Sequence, residues 1–84
     1  MSIHSSVLVI DDEPAILEVM RLNLAKEGYH VLTAASGEQG LTILSEKFVD
    51  VVIVDYKMPG MNGIDFLEKA KAKHQDIPII LATA

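Results

Sequence analysis

Three aspartates at the ends of two apolar segments are the residues of this 84-residue chain most suited to chemistry. Residues 7–10 run directly into Asp11 and Asp12, and residues 51–54 run directly into Asp55. Carboxylates that converge repel one another, and the pKa of at least one of them rises unless a cation is present. Oxygen ligands without sulfur favour a hard ion, so we expect Mg²⁺ to bind here if the two segments are neighbours.

A purely structural explanation of the same aspartates competes with this one. Asp12 could cap a helix that begins at Pro14, and Asp11 and Asp55 could form turns. A single aspartate at a strand end would favour that explanation. Three carboxylates at two strand ends, each after the same kind of apolar segment, favour a binding site.

The elements that must position these aspartates alternate in type along the chain. Continuous β-branched apolar runs are typical of strands buried in a parallel sheet. Helical patterns separate them, which predicts the order β-α-β-α-β-α-β and an α/β fold with a doubly wound parallel sheet. Ligands of such sheets bind at the carboxyl ends of the strands, where the aspartates lie. Strands are expected over residues 7–10, 30–34, 51–54 and 77–82.

The second predicted helix has the clearest start. Ser36, followed three residues later by Gln39, forms a capping-box pattern. Leu41, Leu44 and Phe48 recur at i, i+3 and i+7, so we expect them to form the apolar side of this helix.

The composition excludes several classes of protein. The chain has no cysteine, which rules out a disulfide scaffold and a thiolate metal site. Twelve acidic and 7 basic residues give a net charge of −5, which argues against direct nucleic-acid binding. The apolar runs are far shorter than the ~20 residues of a membrane span, and the N-terminus lacks the pattern of a signal peptide. We therefore expect a cytoplasmic protein without a membrane partner.

Three segments resemble the receiver domain of two-component response regulators. They are VLVIDDEP over residues 7–14, VIVDYKMPGMNG over residues 52–63 and IILATA over residues 79–84. In this order and spacing they are highly specific, and the resemblance covers residues 7–84. It implies a flavodoxin-like fold with strand order 2-1-3-4-5. It also implies a phosphoacceptor module that takes phosphate from a histidine kinase or phosphotransfer protein and switches a downstream output.

The resemblance also assigns the metal site and the phosphoacceptor. Asp55 would be the residue that is phosphorylated. Asp12 would ligate Mg²⁺ directly and Asp11 through water, and Asp55 with the backbone carbonyl of Lys57 would complete the protein ligands.

Further roles that the resemblance implies concern the phosphoryl group. The hydroxyl of Thr83 would turn toward it and report its presence. The backbone N–H groups of Lys57 and Ala84 would hold its oxygens.

The length of the chain departs from the family. Five βα units of about 23 residues each need roughly 115–120 residues, whereas this chain stops at Ala84. We therefore expect residues 1–84 to be the N-terminal part of a receiver domain, with α4, β5, α5 and a lysine on the fifth strand absent. Residues 77–82 are expected to be buried on both faces, so their uncovered edge would favour self-association.

Two other functions remain open. The first is a Mg²⁺-dependent phosphohydrolase with an aspartate nucleophile, although such enzymes often carry Asp-x-Asp after the first strand and this chain has adjacent aspartates. The second is an inert interaction module. The leading expectation is a regulatory domain that assists its own phosphorylation and dephosphorylation and is otherwise not an enzyme.

Overall fold

The computed structural model describes residues 5–74 and 76–82, which form one parallel four-stranded sheet and three helices. The alternating order and the parallel sheet confirm the predicted α/β fold. None of the helices in these two ranges is long and apolar enough to cross a membrane. The elements are β1 Ser6–Ile10, α1 Pro14–Lys26, β2 His30–Ala34, α2 Gly37–Glu46, β3 Val51–Asp55, α3 Gly63–Lys73 and β4 Ile79–Ala82.

The strand order is β2-β1-β3-β4, so the winding direction reverses between β1 and β3. Val9 of β1 pairs with Thr33 on one side and with Ile53 on the other. Asp55 at the end of β3 pairs with Ala82 of β4. Right-handed crossovers in opposite directions put α1 on one face of the sheet and α2 and α3 on the other. The aspartates therefore lie at the switch point, where doubly wound sheets bind ligands.

The main core lies between the sheet and the layer of α2 and α3. Its dense packing requires the absence of a side chain at Gly40, since a Cβ there would collide with Cδ1 of Ile10. Helix α2 thus lies directly on β1 and holds that strand in place. The largest fully buried side chains are Leu8, Ile10, Val52, Val54 and Phe66.

The opposite face of the sheet is covered less completely. Val7 and Val9 are buried there, but α1 has no buried residue and its Ile16 and Val19 are exposed. Ile80 of β4 lies on the same face, because its partner Ile53 pairs with Val9, and it is 53% exposed. This face therefore presents an apolar surface beside α1.

The ends of α1 follow from its sequence. Pro14 occupies the first turn, where its missing N–H is not needed. Gly28 has φ +97°, and its N–H donates to the carbonyl of Ala25 at 3.0 Å. A left-handed residue after the helix satisfies carbonyls that would otherwise have no partner.

Side-chain caps start the other two helices. Ser36 Oγ accepts a hydrogen bond from the N–H of Gln39 at 3.1 Å, as the capping box predicts. In return, Gln39 Oε1 accepts from the N–H of Ala35 at 2.7 Å, one residue before the N-cap. Asn62 Oδ1 accepts from the N–H of Asp65 at 2.9 Å and fixes the start of α3.

Strand β4 differs from the prediction in its start and its burial. It begins at Ile79 and not at residue 77, because Pro78 has no N–H to donate to the sheet. The carbonyl of Pro78 still accepts from the N–H of Val52. Residues facing the α2–α3 layer are half-buried while Ile80 is exposed, so the expectation of burial on both faces is wrong for the described residues.

The expectation that Phe48 lies on the apolar side of α2 is also wrong. Helix α2 ends at Glu46, and Lys47 adopts an extended conformation with φ −129° and ψ 148°. Phe48 therefore leaves the helical periodicity and is 80% exposed. Val49, the next residue, is buried in the core in its place.

Candidate functional site

The carboxyl ends of β1 and β3 bring three carboxylates together. Asp11 and Asp12 follow β1 directly, and Asp55 is the last residue of β3. One oxygen from each carboxylate lies within 4.8 Å of the others. Among residues 5–74 and 76–82, no other group of three or more histidine, cysteine or acidic side chains converges in this way. We call these three residues the aspartate cluster.

Asp11 has a structural role as well as its place in the cluster. Its N–H donates to the carbonyl of Ala34 at 3.1 Å, which extends the β1–β2 pairing by one residue. Its Oδ1 accepts from the N–H of Glu13 at 2.9 Å and forms a tight turn before α1. Asp11 therefore forms the turn that the structural explanation predicts and also belongs to the aspartate cluster.

Asp12 does not take the capping role that the structural explanation offered. The N-cap of α1 is Glu13, and it makes no side-chain capping bond. Asp12 is exposed at the edge of the cluster. Its carboxylate is therefore available to a ligand.

The electrostatics of the cluster favour a cation. Partial burial raises the pKa of the Asp11 carboxyl, against the lowering effect of the Glu13 N–H. The negative charges of Asp55 and Asp12 raise this pKa further. A divalent cation removes that repulsion, and carboxylate oxygens are the ligands that Mg²⁺ prefers. The donor set therefore fits Mg²⁺.

The loop between β3 and α3 folds back over the end of β3. Lys57 donates its N–H to Asp55 Oδ1 at 3.3 Å, so the N–H assigned to a phosphoryl oxygen lies beside the proposed acceptor. Gly60 has φ +76°, a left-handed conformation that glycine adopts readily in a turn. Gly63 then donates its N–H to the carbonyl of Tyr56 at 3.1 Å and closes the loop.

An open cavity of about 410 Å³ lies in this loop, next to the end of β3. Asp55 is half-buried, so its carboxylate is held by the sheet but open to a reactant. The cavity is lined by the loop and not by the aspartate cluster. Its lining residues are Tyr56, Lys57, Met58, Pro59 and Asn62.

Gly63 is a site residue whose role the sequence analysis missed. A Cβ at this position would lie 2.8 Å from the carbonyl oxygen of Asp55 and 3.0 Å from Cα of Tyr56. The backbone of α3 can approach the end of β3 only because the side chain is absent. The available signal was a glycine at the first position of a helix, where its low helix propensity needs another reason.

Two of the assigned residues, Thr83 and Ala84, lie outside the described residues, and their roles stay predictions. Ala82, which precedes them, pairs with Asp55. Its carbonyl accepts from the N–H of Tyr56 at 2.9 Å. The end of β4 is thereby joined to the end of β3.

Comparison with known proteins identifies similar chains. The chain is 40% identical over 79 residues to the transcriptional regulatory protein AfsQ1 of Streptomyces coelicolor, covering 94% of this chain and 35% of that protein. It is 38% identical over 78 residues to the transcriptional regulatory protein GlrR of Escherichia coli, covering 93% of this chain and 18% of that protein. The chain thus spans less than two thirds of the length of these curated relatives.

Solved structures are also similar to this chain. The chain superimposes with a TM-score of 0.91 and 40% identity on the response regulator protein TrrA of Thermotoga maritima, solved in complex with Mg(2+)-BeF. That match covers 95% of this chain and 70% of the other. A second match, with a TM-score of 0.89 and 40% identity, is a structure of the histidine kinase ThkA in complex with TrrA, covering 95% of this chain and 69% of that one.

The family comparison agrees with the fold and with these relatives. The family model described as response regulator receiver domain matches residues 7–84, nearly the whole chain. The matched range contains the four strands from Val7 onward and the whole aspartate cluster. The chain therefore belongs to the response regulator receiver domain family.

Proposed function

We propose that Asp55 accepts a phosphoryl group from the phosphohistidine of a histidine kinase or phosphotransfer protein, and that this switches an output of the protein. The observation that carries the proposal is the approach of three carboxylate oxygens to within 4.8 Å at the carboxyl ends of β1 and β3. The complex of ThkA with TrrA supports a histidine kinase as the partner, because the match in that structure is 40% identical to this chain.

We propose Mg²⁺ as the cofactor of this phosphoryl transfer. Asp11, Asp12, Asp55 and the backbone carbonyl of Lys57 would hold it. Bound Mg²⁺ neutralises negative charge between the carboxylate and the phosphoryl group and so lowers the barrier to their approach. The structure of TrrA in complex with Mg(2+)-BeF supports this choice of metal.

The remaining parts of the proposed reaction are carried out by residues of the chain. A carboxylate oxygen of Asp55 forms a bond to phosphorus while the bond from phosphorus to the imidazole nitrogen of the donor breaks. The imidazole leaves with the electron pair, and the product is an aspartyl phosphate. The N–H groups of Lys57 and Ala84 hold phosphoryl oxygens, and the hydroxyl of Thr83 turns toward the new group.

The extent of the domain is also part of the proposal. Residues 1–84 form the N-terminal part of a receiver, and further elements α4, β5 and α5 would complete it. The exposed apolar face around Ile80 supports this, because a helix packed there would bury it. The domain acts in the cytoplasm and binds neither nucleic acid nor membrane by itself.

The test is phosphorylation of the complete receiver domain, in which α4, β5 and α5 follow residues 1–84, with acetyl phosphate and Mg²⁺, followed by intact mass spectrometry. We expect one phosphate per molecule, no adduct on Asp55→Asn, and an unchanged adduct on the control Asp65→Asn, which alters an exposed carboxylate of α3. Continuous turnover of the donor by the protein would support the phosphohydrolase instead. No adduct with any phosphodonor or kinase would support the inert module.

A further inference from the structure

A groove between α2 and α3 lies at the amino ends of the strands, opposite to the aspartate cluster. It consists of two adjoining depressions of about 360 Å³ and 320 Å³, which share Lys73 and His74. We call them together the α2–α3 groove. Its apolar lining consists of the half-buried Leu41 and Ile77, with the buried Leu44 and Val49 beneath them.

Phe48 stands at one end of this groove and is 80% exposed. An isolated exposed apolar residue is ordinary. Here, however, a whole aromatic ring lies beside an apolar groove, and aromatic rings at such positions are the common anchors of protein interfaces. The groove is therefore suited to a partner that carries apolar side chains of its own.

The charged residues that line the groove are mostly basic, whereas the chain as a whole is acidic. Lys47, Lys69 and Lys73 line it, which is three of the seven basic residues. Asp76 is the one acidic residue among the lining residues that the structure describes, whereas the whole chain has a net charge of −5. This local reversal favours an acidic partner and steers it to the groove.

An acidic segment of a protein fits these features better than an anionic membrane. The groove is concave and lies between two helices, whereas a membrane surface is flat. The net charge of −5 would also repel an anionic bilayer from the rest of the molecule. An amphipathic helix lays its apolar side chains into such a groove and leaves its charged side chains at the rim.

We propose that the α2–α3 groove binds an acidic amphipathic segment of a partner protein. Apolar side chains of the segment pack on Phe48 and on the half-buried Leu41 and Ile77. Its carboxylates pair with Lys47 and Lys73 at the rim. This surface is separate from the aspartate cluster, so the proposal does not depend on phosphorylation of Asp55.

The test uses a set of synthetic acidic peptides of about 14 residues with leucine or phenylalanine at i, i+3 and i+7. The complete receiver domain is titrated with them in low salt and followed by NMR and calorimetry. We expect shifts at Lys47, Phe48 and Lys73, none at Asp55, and weaker binding as salt rises. Peptides with lysine in place of the acidic residues should not bind.

Two pairs of variants make the test specific. Phe48→Ala should weaken binding by about tenfold or more, as loss of an aromatic anchor does, whereas Tyr29→Ala, which removes an exposed aromatic ring elsewhere, should not. Lys73→Glu should weaken binding, whereas Lys26→Glu at the end of α1 should not. Thermal melts verify that each variant is folded.

Three outcomes would overturn the proposal. They are no binding by any acidic peptide, binding that is insensitive to both Phe48→Ala and Lys73→Glu, and shifts confined to other surfaces. Vesicles of phosphatidylserine and phosphatidylcholine form a separate arm of the experiment. Binding of these vesicles through Phe48 in the absence of peptide binding would identify a membrane as the occupant and would also overturn it.

Discussion

Gly63 and Asp55 are in backbone contact: a Cβ at position 63 would lie 2.8 Å from the carbonyl oxygen of Asp55. The start of α3 and the end of β3 therefore have a spacing that only glycine permits. Since Asp55 is the proposed acceptor, this contact links a helix start to the position of the reactive carboxylate.

The first prediction follows from this contact. Gly63→Ala should lower the free energy of unfolding by about 1–3 kcal/mol, because backbone atoms cannot move aside as a side chain can. It should also slow phosphorylation. The matched control is Gly37→Ala, which changes the first residue of α2 and meets only the flexible side chain of Met61. Denaturant unfolding compares the two variants, and equal losses of stability would contradict the role given to Gly63.

The second prediction concerns pH in the absence of magnesium. The pKa of Asp11 is raised in the folded protein, so its contribution to stability is present below the unfolded pKa and is lost as pH rises through the folded pKa. Asp11→Asn keeps an acceptor for the Glu13 N–H and removes the charge. The variant should therefore have a Tm a few degrees above that of the wild type at neutral pH.

Calorimetry at neutral pH and near pH 3 checks this. The advantage of Asp11→Asn should shrink in acid, where the wild-type carboxyl is protonated. Glu68→Gln, which removes an exposed acidic charge further along α3, serves as the control. An advantage that is equal at both pH values would contradict the assignment of the effect to Asp11.

The third prediction concerns the metal. Mg²⁺ should raise the Tm of the wild type, because a ligand that binds only the folded state stabilises it. The double variant Asp12→Ala, Asp55→Ala should lose this effect and the NMR shifts caused by Mg²⁺ near the cluster. An undiminished response to Mg²⁺ in the double variant would mean that other residues bind the ion.

The fourth prediction concerns the apolar face beside α1. Burying apolar surface stabilises by roughly 25 cal/mol per Å², and Ile80, Ile16 and Val19 are exposed on this side. Residues 1–84 alone should therefore associate or unfold at low stability, and should not form a stable, phosphorylation-competent monomer. Ile80→Glu should reduce association in sedimentation, whereas Thr42→Glu on α2 should not. A cooperative monomeric transition of residues 1–84 with full phosphorylation would refute it.

Features fixed by local interactions could be predicted from the sequence. The caps at Ser36 and Asn62 and the end of α1 at Gly28 depend on neighbouring residues, and each lies where its pattern indicates. The convergence of Asp11 and Asp55 was also predictable, since it requires only that the strands they follow be neighbours.

Features fixed by contacts between distant residues could not be predicted. Phe48 continues the helical pattern of α2, and no local signal showed that Lys47 would be extended. The closeness of Gly63 to Asp55 depends on how α3 meets the sheet. The exposure of Ile80 likewise depends on which elements cover its face and not on its own segment.

The hydrogen bond from the N–H of Asp11 to the carbonyl of Ala34 has an entropic consequence. It fixes the backbone of one cluster residue to the sheet, and the pairing of Asp55 with Ala82 fixes another. Ordering the backbone of a residue costs about 1–2 kcal/mol in conformational entropy, and folding has already met that cost for the backbones that carry both carboxylates. The backbone of the site is thus preorganised for ligand binding.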